Sequence, residues 1–291
     1  MMRLRSRLHW KRLYTQLLFF LCQNPFLSNL VTGRIYTGRL KMVCTPGLNC
    51  YSCPAAVASC PLGSMQLFLA GARHNLSLFV TGFLLTTGVT FGRIICGYVC
   101  PFGFLQDILY KLRTKKVKTA FSYARYLKYI VLLLFVLILP MASVHELTGI
   151  GSPWFCKYIC PSGTVFAAIP LLTANEGLRR FLGMTFVSKA LLTLGITATA
   201  TVICRFFCRV LCPLGAIYAL LNPLAIVRMR CSKAECIGCG QCAAACHLHL
   251  SPVNQTNSPE CVHCGNCLNA CPAKALYYGI SERKQHDEIT T

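Results

Sequence analysis

The cysteines of this chain are spaced to hold iron. From Cys236 the sequence reads Cys236-x-x-Cys239-x-x-Cys242-x-x-x-Cys246, and after a linker Cys261-x-x-Cys264-x-x-Cys267-x-x-x-Cys271-Pro272. Loops of two residues let three thiolates face one cubane, and the fourth, three residues on, reaches a second cubane. Cys236, Cys239, Cys242 and Cys271 are therefore expected to hold one [4Fe-4S] cluster, and Cys261, Cys264, Cys267 and Cys246 another. Two zinc knuckles or a disulfide knot are the alternatives. Zinc sites pair Cys-x-x-Cys units without a third cysteine at the same pitch. His247 stands where this pattern expects proline, and Cys231 has no place in it and reads as a buried or spare thiol. Gly238 and Gly240 lie inside the cysteine repeat, where a missing side chain lets backbone approach a cluster.

A second pattern precedes the first. Cys-Pro-x-Gly occurs at Cys60, Cys100, Cys160 and Cys212, and three of these have a cysteine four residues earlier: Cys96, Cys156 and Cys208. The first has Ala56 there, with Cys50 and Cys53 nearby. Proline suits the first position of a helix, so each cysteine before it is expected at an N-cap, where unpaired N–H groups and the helix dipole favour an anionic group. The apolar run that follows each motif is about ten residues, too short to cross a bilayer. Each is read as a re-entrant half-helix. Buried thiols that only pack are the alternative, and packing is the expected role of Cys22 and Cys204.

The elements that must carry these cysteines are apolar. Of 291 residues, 55% are hydrophobic and 13% charged, and the mean hydropathy is +0.53. That is the composition of an integral membrane protein with an appended polar tail. The net charge of +21 does not indicate nucleic acid, because the basic residues flank hydrophobic runs instead of forming one patch. Four spans are expected, at about 13–31, 76–91, 126–142 and 184–203. The apolar run near the start lacks a small-residue cleavage site after it and is read as a retained anchor. Arg34, Arg39, Lys41, Arg73, Lys157, Arg179 and Arg180 fall on one side of the membrane, and all other basic residues except Lys189, inside the last span, fall on the opposite side. By the positive-inside rule the richer side is cytoplasmic, which puts both termini there.

The expected fold is thus an α-helical integral membrane protein with four transmembrane helices and re-entrant half-helices, followed by an α+β two-cluster ferredoxin-like domain. The membrane domain takes residues 1–230, as two parallel repeats at about 13–112 and 124–221. The cytoplasmic domain takes 231–291, with a polar end, 281–291, expected to fray. A repeat axis along the membrane normal brings Cys96 and Cys100 against Cys208 and Cys212 on the inner side. It brings Cys156 and Cys160 against Cys44, Cys50, Cys53 and Cys60 on the outer side. Four thiolates suffice for a cubane on each side. Which outer cysteines serve, and whether the other two form a disulfide, stays open at this stage. Four clusters in all would make a wire across a hydrocarbon core about 30 Å thick.

With Cys96/Cys100-Pro101, Cys208/Cys212-Pro213 and the eight tail cysteines, the chain resembles the membrane polyferredoxins. These include the NapH-type quinol dehydrogenase subunit and the membrane part of NosR-type proteins. The resemblance implies electron transfer between the quinone pool or a cytoplasmic donor and an extracytoplasmic redox partner. The additional Cys156/Cys160 and the run Cys44 to Cys53 favour a conduit across the whole inner membrane. The donor is expected to be a ferredoxin or flavoprotein, and the acceptor a flavin- or haem-containing protein. A quinol-oxidising subunit, with His145-Glu146 or His74 as proton acceptor, is the first alternative. An iron–sulfur sensor or metalloenzyme assembly factor is the second. No Ser-His-Asp set, phosphate loop or dinucleotide fingerprint is present.

Overall fold

The computed structural model describes residues 2–71, 77–117, 123–144 and 151–280. His74, His145, Glu146 and 281–291 lie outside the described residues. The first helix, α1 (Met2–Gln23), has 22 residues and carries the basic N-terminal run within it. The apolar run expected to reach residue 31 breaks after Gln23, because Pro25 forbids the helical conformation to its predecessor Asn24 and donates no N–H. A separate turn, Asn29–Thr32, follows.

The remaining long elements are α2 (Pro61–Leu69), α3 (Leu78–Phe91) and α4 (Pro101–Tyr110), then α5 (Ala124–Ala142), α6 (Pro161–Ala174) and α7 (Met184–Val202), and α8 (Pro213–Leu221). Two of them, α5 and α7, are long and apolar enough to cross a membrane, each with 19 residues. The expected second span is the 14-residue α3, shortened where Gly92 turns into the left-handed region at φ +53°. Most of α5 and α7 faces outward, with Ile130, Leu133, Leu191 and Leu194 more than half exposed. Apolar side chains exposed in such numbers on a soluble surface would form an aggregation patch; facing lipid they cost nothing.

Both α5 and α6 widen into π-turns, at Leu132–Ile138 and Thr164–Ala168. Each π segment contains the residue four before an internal proline, Pro140 or Pro170. The wider turn relieves the clash between the proline ring and that carbonyl.

The half-helices begin where proline sets them. Cys60, Cys100, Cys160 and Cys212 are all extended N-caps with ψ between 110° and 126°, and proline follows each. In the three complete Cys-x-x-x-Cys units the second cysteine's amide donates five residues back: Cys100 to Ile95, Cys160 to Phe155 and Cys212 to Phe207. One local structure is thus built three times.

After residue 227 a small two-stranded sheet, β1 (Arg228–Cys231) antiparallel to β2 (Leu276–Gly279), pairs Arg228 with Gly279 and Cys231 with Leu276. Between the strands lie two short helices, α9 (Gln241–Ala244) and α10 (Asn266–Ala270). Each starts at a left-handed glycine, Gly240 or Gly265.

Candidate metal centres

At the site expected on the inner side, α4 and α8 carry Cys100 and Cys212 at their starts, and Cys96 and Cys208 sit on the turns just before. All four are buried and within electrostatic reach of one another. The two halves are crossed by a reciprocal pair of arginines. Arg205, three residues before Cys208, donates to the Cys96 carbonyl at 2.5 Å, and Arg93, three before Cys96, donates to the Cys208 carbonyl at 3.0 Å. The motif glycines make room for those same carbonyls. A Cβ on Gly103 would lie 2.8 Å from Cys96 O, and one on Gly215 2.9 Å from Cys208 O. Arg205 is also held by Asp107, at 2.9 and 2.6 Å, which pairs with Arg12 as well.

At the site expected on the outer side, Cys50, Cys60, Cys156 and Cys160 line one cavity of about 300 Å³. Lys189, on α7, reaches it and donates to the Cys156 carbonyl at 2.7 Å. A Cβ on Gly163 would stand 3.3 Å from Lys189 Nζ and 3.7 Å from Cys50 Sγ, so here the motif glycine keeps the cavity open. Cys53 and Cys44 do not line it. Cys53 packs with Ala55 and Ala56, and Cys44 bridges to Ser59. Both are free thiols in this structure.

Backbone joins the two sites. Leu48 lines the outer cavity, and its N–H points at Cys100 Sγ of the inner site, 3.4 Å away. Tight packing holds the segment there. A Cβ on Gly47 would meet Cys100 Cα at 2.9 Å, Ser162 donates to Leu48 O at 3.3 Å, and Tyr218 donates to Pro46 O at 2.8 Å.

The tail docks on the inner site. A Cβ on Gly97, the residue after Cys96, would lie 2.5 Å from the carbonyl of Val262, the residue after Cys261. Lys128 and Arg93, both fully buried, converge on Glu260 at 2.5 and 3.7 Å. Arg93 also donates to Pro259 O at 2.6 Å. Asn222 Oδ1 accepts from Arg93 N at 3.0 Å and lies 3.0 Å from His263 Nε2. Burial and the neighbouring Arg93 push His263 down to about 4. The ring is therefore neutral, and its proton sits on Nε2 to meet the amide oxygen.

Within the tail, Cys246, Cys261, Cys264 and Cys267 lie within electrostatic reach of each other, beside the docked face. Cys236, Cys242 and Cys271 form a separate group that Cys231 adjoins. Cys239 is exposed. Burial, then the neighbouring thiols, push Cys261 up to about 12, so this thiol stays protonated until a metal displaces the proton. The turn after Cys246 forms without proline, and the same turn follows Cys271. The third residue after each cysteine, His249 or Lys274, takes positive φ.

Two observations fit a bound cluster. Asn49, fully buried on the outer cavity wall, has neither amide atom hydrogen-bonded, and unsatisfied buried amides are costly unless something bound meets them. Around the inner and docked tail cysteines, the buried Arg93, Lys128 and Arg205 share only the two carboxylates of Asp107 and Glu260. That excess of buried positive charge has the sign that a four-thiolate cubane, net about −2 when oxidised, requires.

A 4Fe-4S binding domain family matches residues 73–119, 129–174 and 186–229, and each match contains one Cys-x-x-x-Cys-Pro unit. The methylamine utilization ferredoxin-type protein MauN of Methylobacillus flagellatus is 30% identical over 172 residues, 58% of this chain and 52% of that protein. These matches support a polyferredoxin-type 4Fe-4S family for this chain. The putative electron transport protein YccM of Escherichia coli is 25% identical over 164 residues, 53% of this chain and 41% of that protein. An uncharacterised protein of Methanocaldococcus jannaschii is 25% identical over 198 residues, 65% of each chain. The chain spans between two fifths and two thirds of the length of these relatives. No solved structure matches it.

Sequence reading missed Arg93, Arg205, Gln66 and Gln106. The signal was there as register: an arginine three residues before Cys96 and Cys208, and a glutamine six after Cys60 and Cys100.

Proposed function

We propose that this polyferredoxin is a transmembrane electron conduit, taking electrons from a cytoplasmic ferredoxin or flavoprotein to an extracytoplasmic flavin- or haem-containing acceptor. In this reading it has four membrane-crossing elements, with α1 and α3 joining α5 and α7. Residues 1–230 form the membrane domain, and 231–291 a two-cluster ferredoxin-like domain. Both termini face the cytoplasm of the inner membrane. A bound [4Fe-4S] cluster supplies one-electron redox chemistry. Cys50, Cys60, Cys156 and Cys160 would hold one, and Cys96, Cys100, Cys208 and Cys212 a second. Cys246, Cys261, Cys264 and Cys267 would hold a third, and Cys236, Cys239, Cys242 and Cys271 the fourth.

The observation that carries this reading is the pair of backbone junctions. Leu48 links the outer set to the inner, and Gly97 against Val262 links the inner set to the tail. The exposed Cys239 end is then the face a soluble donor meets. The buried glycines and arginines hold these junctions together and exclude water from them. The test is iron content and transmembrane electron flow in vesicles. The unmodified protein should carry about sixteen irons per chain, and Cys100→Ser should stop flow from a donor inside to a dye outside. About eight irons, or undiminished flow, would defeat it.

A second reading, quinol oxidation, is favoured by one feature. An almost wholly apolar cavity of about 590 Å³ lies between α1 and α3, where Ile95 and Val99 flank the inner cysteines and Tyr98 and Tyr278 contribute to the wall. Inhibition of flow by a quinone analogue would support this reading over a soluble donor.

A further inference from the structure

Gln66 and Gln106 occupy equivalent places, six residues after Cys60 and Cys100, and both are fully buried. Each reaches from the N-terminal half of the membrane domain to the C-terminal half and clasps one dipeptide there. Gln66 Oε1 accepts from Phe155 N at 3.0 Å, and its Nε2 donates to Cys156 Sγ at 3.3 Å. Gln106 Oε1 accepts from Phe207 N at 3.2 Å, and its Nε2 donates to Cys208 Sγ at 3.0 Å. The backbone N–H fixes which end of each carboxamide is which, so the N–H₂ end must face sulfur. The positions six after Cys160 and Cys212 hold Phe166 and Tyr218. Neither side chain supplies such a donor: Tyr218 hydroxyl turns to Pro46 O instead. Each four-cysteine set therefore receives one carboxamide donor, on the first cysteine of its C-terminal-half unit.

We propose that Gln66 and Gln106 are positioning residues that each donate a hydrogen bond to one cluster-ligating thiolate and so raise the potential of the outer and inner clusters respectively. The inference rests on the cluster placement proposed above. Its physical ground is that a reduced cluster carries one more negative charge than an oxidised one. A donor on a ligand sulfur therefore stabilises the reduced state more, and hydrogen bonds to the sulfurs are among the levers that set cluster potentials. Burial strengthens the effect, since no water competes for the sulfur. The clasp also explains why glutamine serves here: the side chain must accept from an amide and donate to a sulfur at once.

The test is potentiometric titration followed by EPR on the full chain, with iron counted in each sample. Gln66→Met and Gln106→Met keep the length of the side chain and remove the donor. Gln66→Met should lower the outer midpoint alone, and Gln106→Met the inner midpoint alone. The expected size is roughly tenfold in the reduction equilibrium, about 59 mV for one electron. In the unmodified protein labelled with side-chain ¹⁵N glutamine, nitrogen hyperfine coupling should appear at both membrane clusters. Full iron with no shift, or an equal shift of every cluster, overturns the proposal. If the methionine variants lose iron, the labelled protein decides, and absent ¹⁵N coupling overturns it. An unmodified protein with only the tail's iron would instead defeat the cluster placement itself.

Discussion

Single atoms govern the contact between the tail and the inner cysteine set. Gly97 has no side chain because the carbonyl of Val262 occupies the space, 2.5 Å from where a Cβ would stand. Forcing atoms into such a contact costs about 1–3 kcal/mol, and here backbone must move to relieve it. Gly97→Ala should therefore lift the tail from the inner cysteines. Magnetic coupling between the inner and nearest tail clusters should weaken in EPR while the iron content stays full. Coupling equal to that of the unmodified protein would show that Gly97 sets no distance. The arginines act at the same scale. Arg93 and Arg205 each tie a cysteine carbonyl of the opposite half, and neither was legible as functional from charge alone, because a basic residue near a span reads first as a topology signal.

Among the elements, the half-helices were the most legible. Cys-Pro fixes an N-cap and first turn by local chemistry alone, so their starts could be read at Cys60, Cys100, Cys160 and Cys212 without any tertiary knowledge. The ends of longer helices were not: α1 stops at Gln23, ahead of Pro25, although apolar residues run on, and α3 is cut short by Gly92. That Cys50 lines the outer cavity and Cys53 does not depends on how an irregular loop folds back, which no periodicity encodes. The motif glycine serves two different ends in the two sites. In the inner site it admits the carbonyls of Cys96 and Cys208, and in the outer site it leaves space beside Cys50. Gly103→Ala should consequently remove the inner cluster and lower thermal stability in detergent, with a cost of about 1–3 kcal/mol. Gly163→Leu should remove only the outer cluster, with the fold kept. Iron counts near twelve in both, with different EPR signals missing, are the expected result; a Gly163→Leu protein with full iron would show that the cavity does not hold a cluster.

For the molecule as a whole, the decisive link is Glu260. Its carboxylate is the meeting point of Lys128 on α5 and Arg93, two residues after α3, so one tail residue neutralises charges from two separate elements. Removing one partner from a buried ion set costs about 3–5 kcal/mol. Glu260→Ala should loosen the tail as a unit, with protease cutting between 222 and 230 and all iron still bound beforehand. Cleavage no faster than in the unmodified protein would place the anchoring elsewhere.

The segment from Pro46 to Cys50 has one more implication. It is pinned against Cys100 at one end and forms the outer cavity wall at the other, and two residues of extended chain reach at most about 7 Å. The gap between the two proposed cluster sites is therefore bounded by this short segment and its packing against Cys100, like a spacer in a ruler. If the helices span a bilayer as proposed, a change in its thickness should tilt them without stretching this segment. The separation of the two membrane clusters, measured by dipolar EPR in short-chain and long-chain lipid vesicles, should come out the same in both.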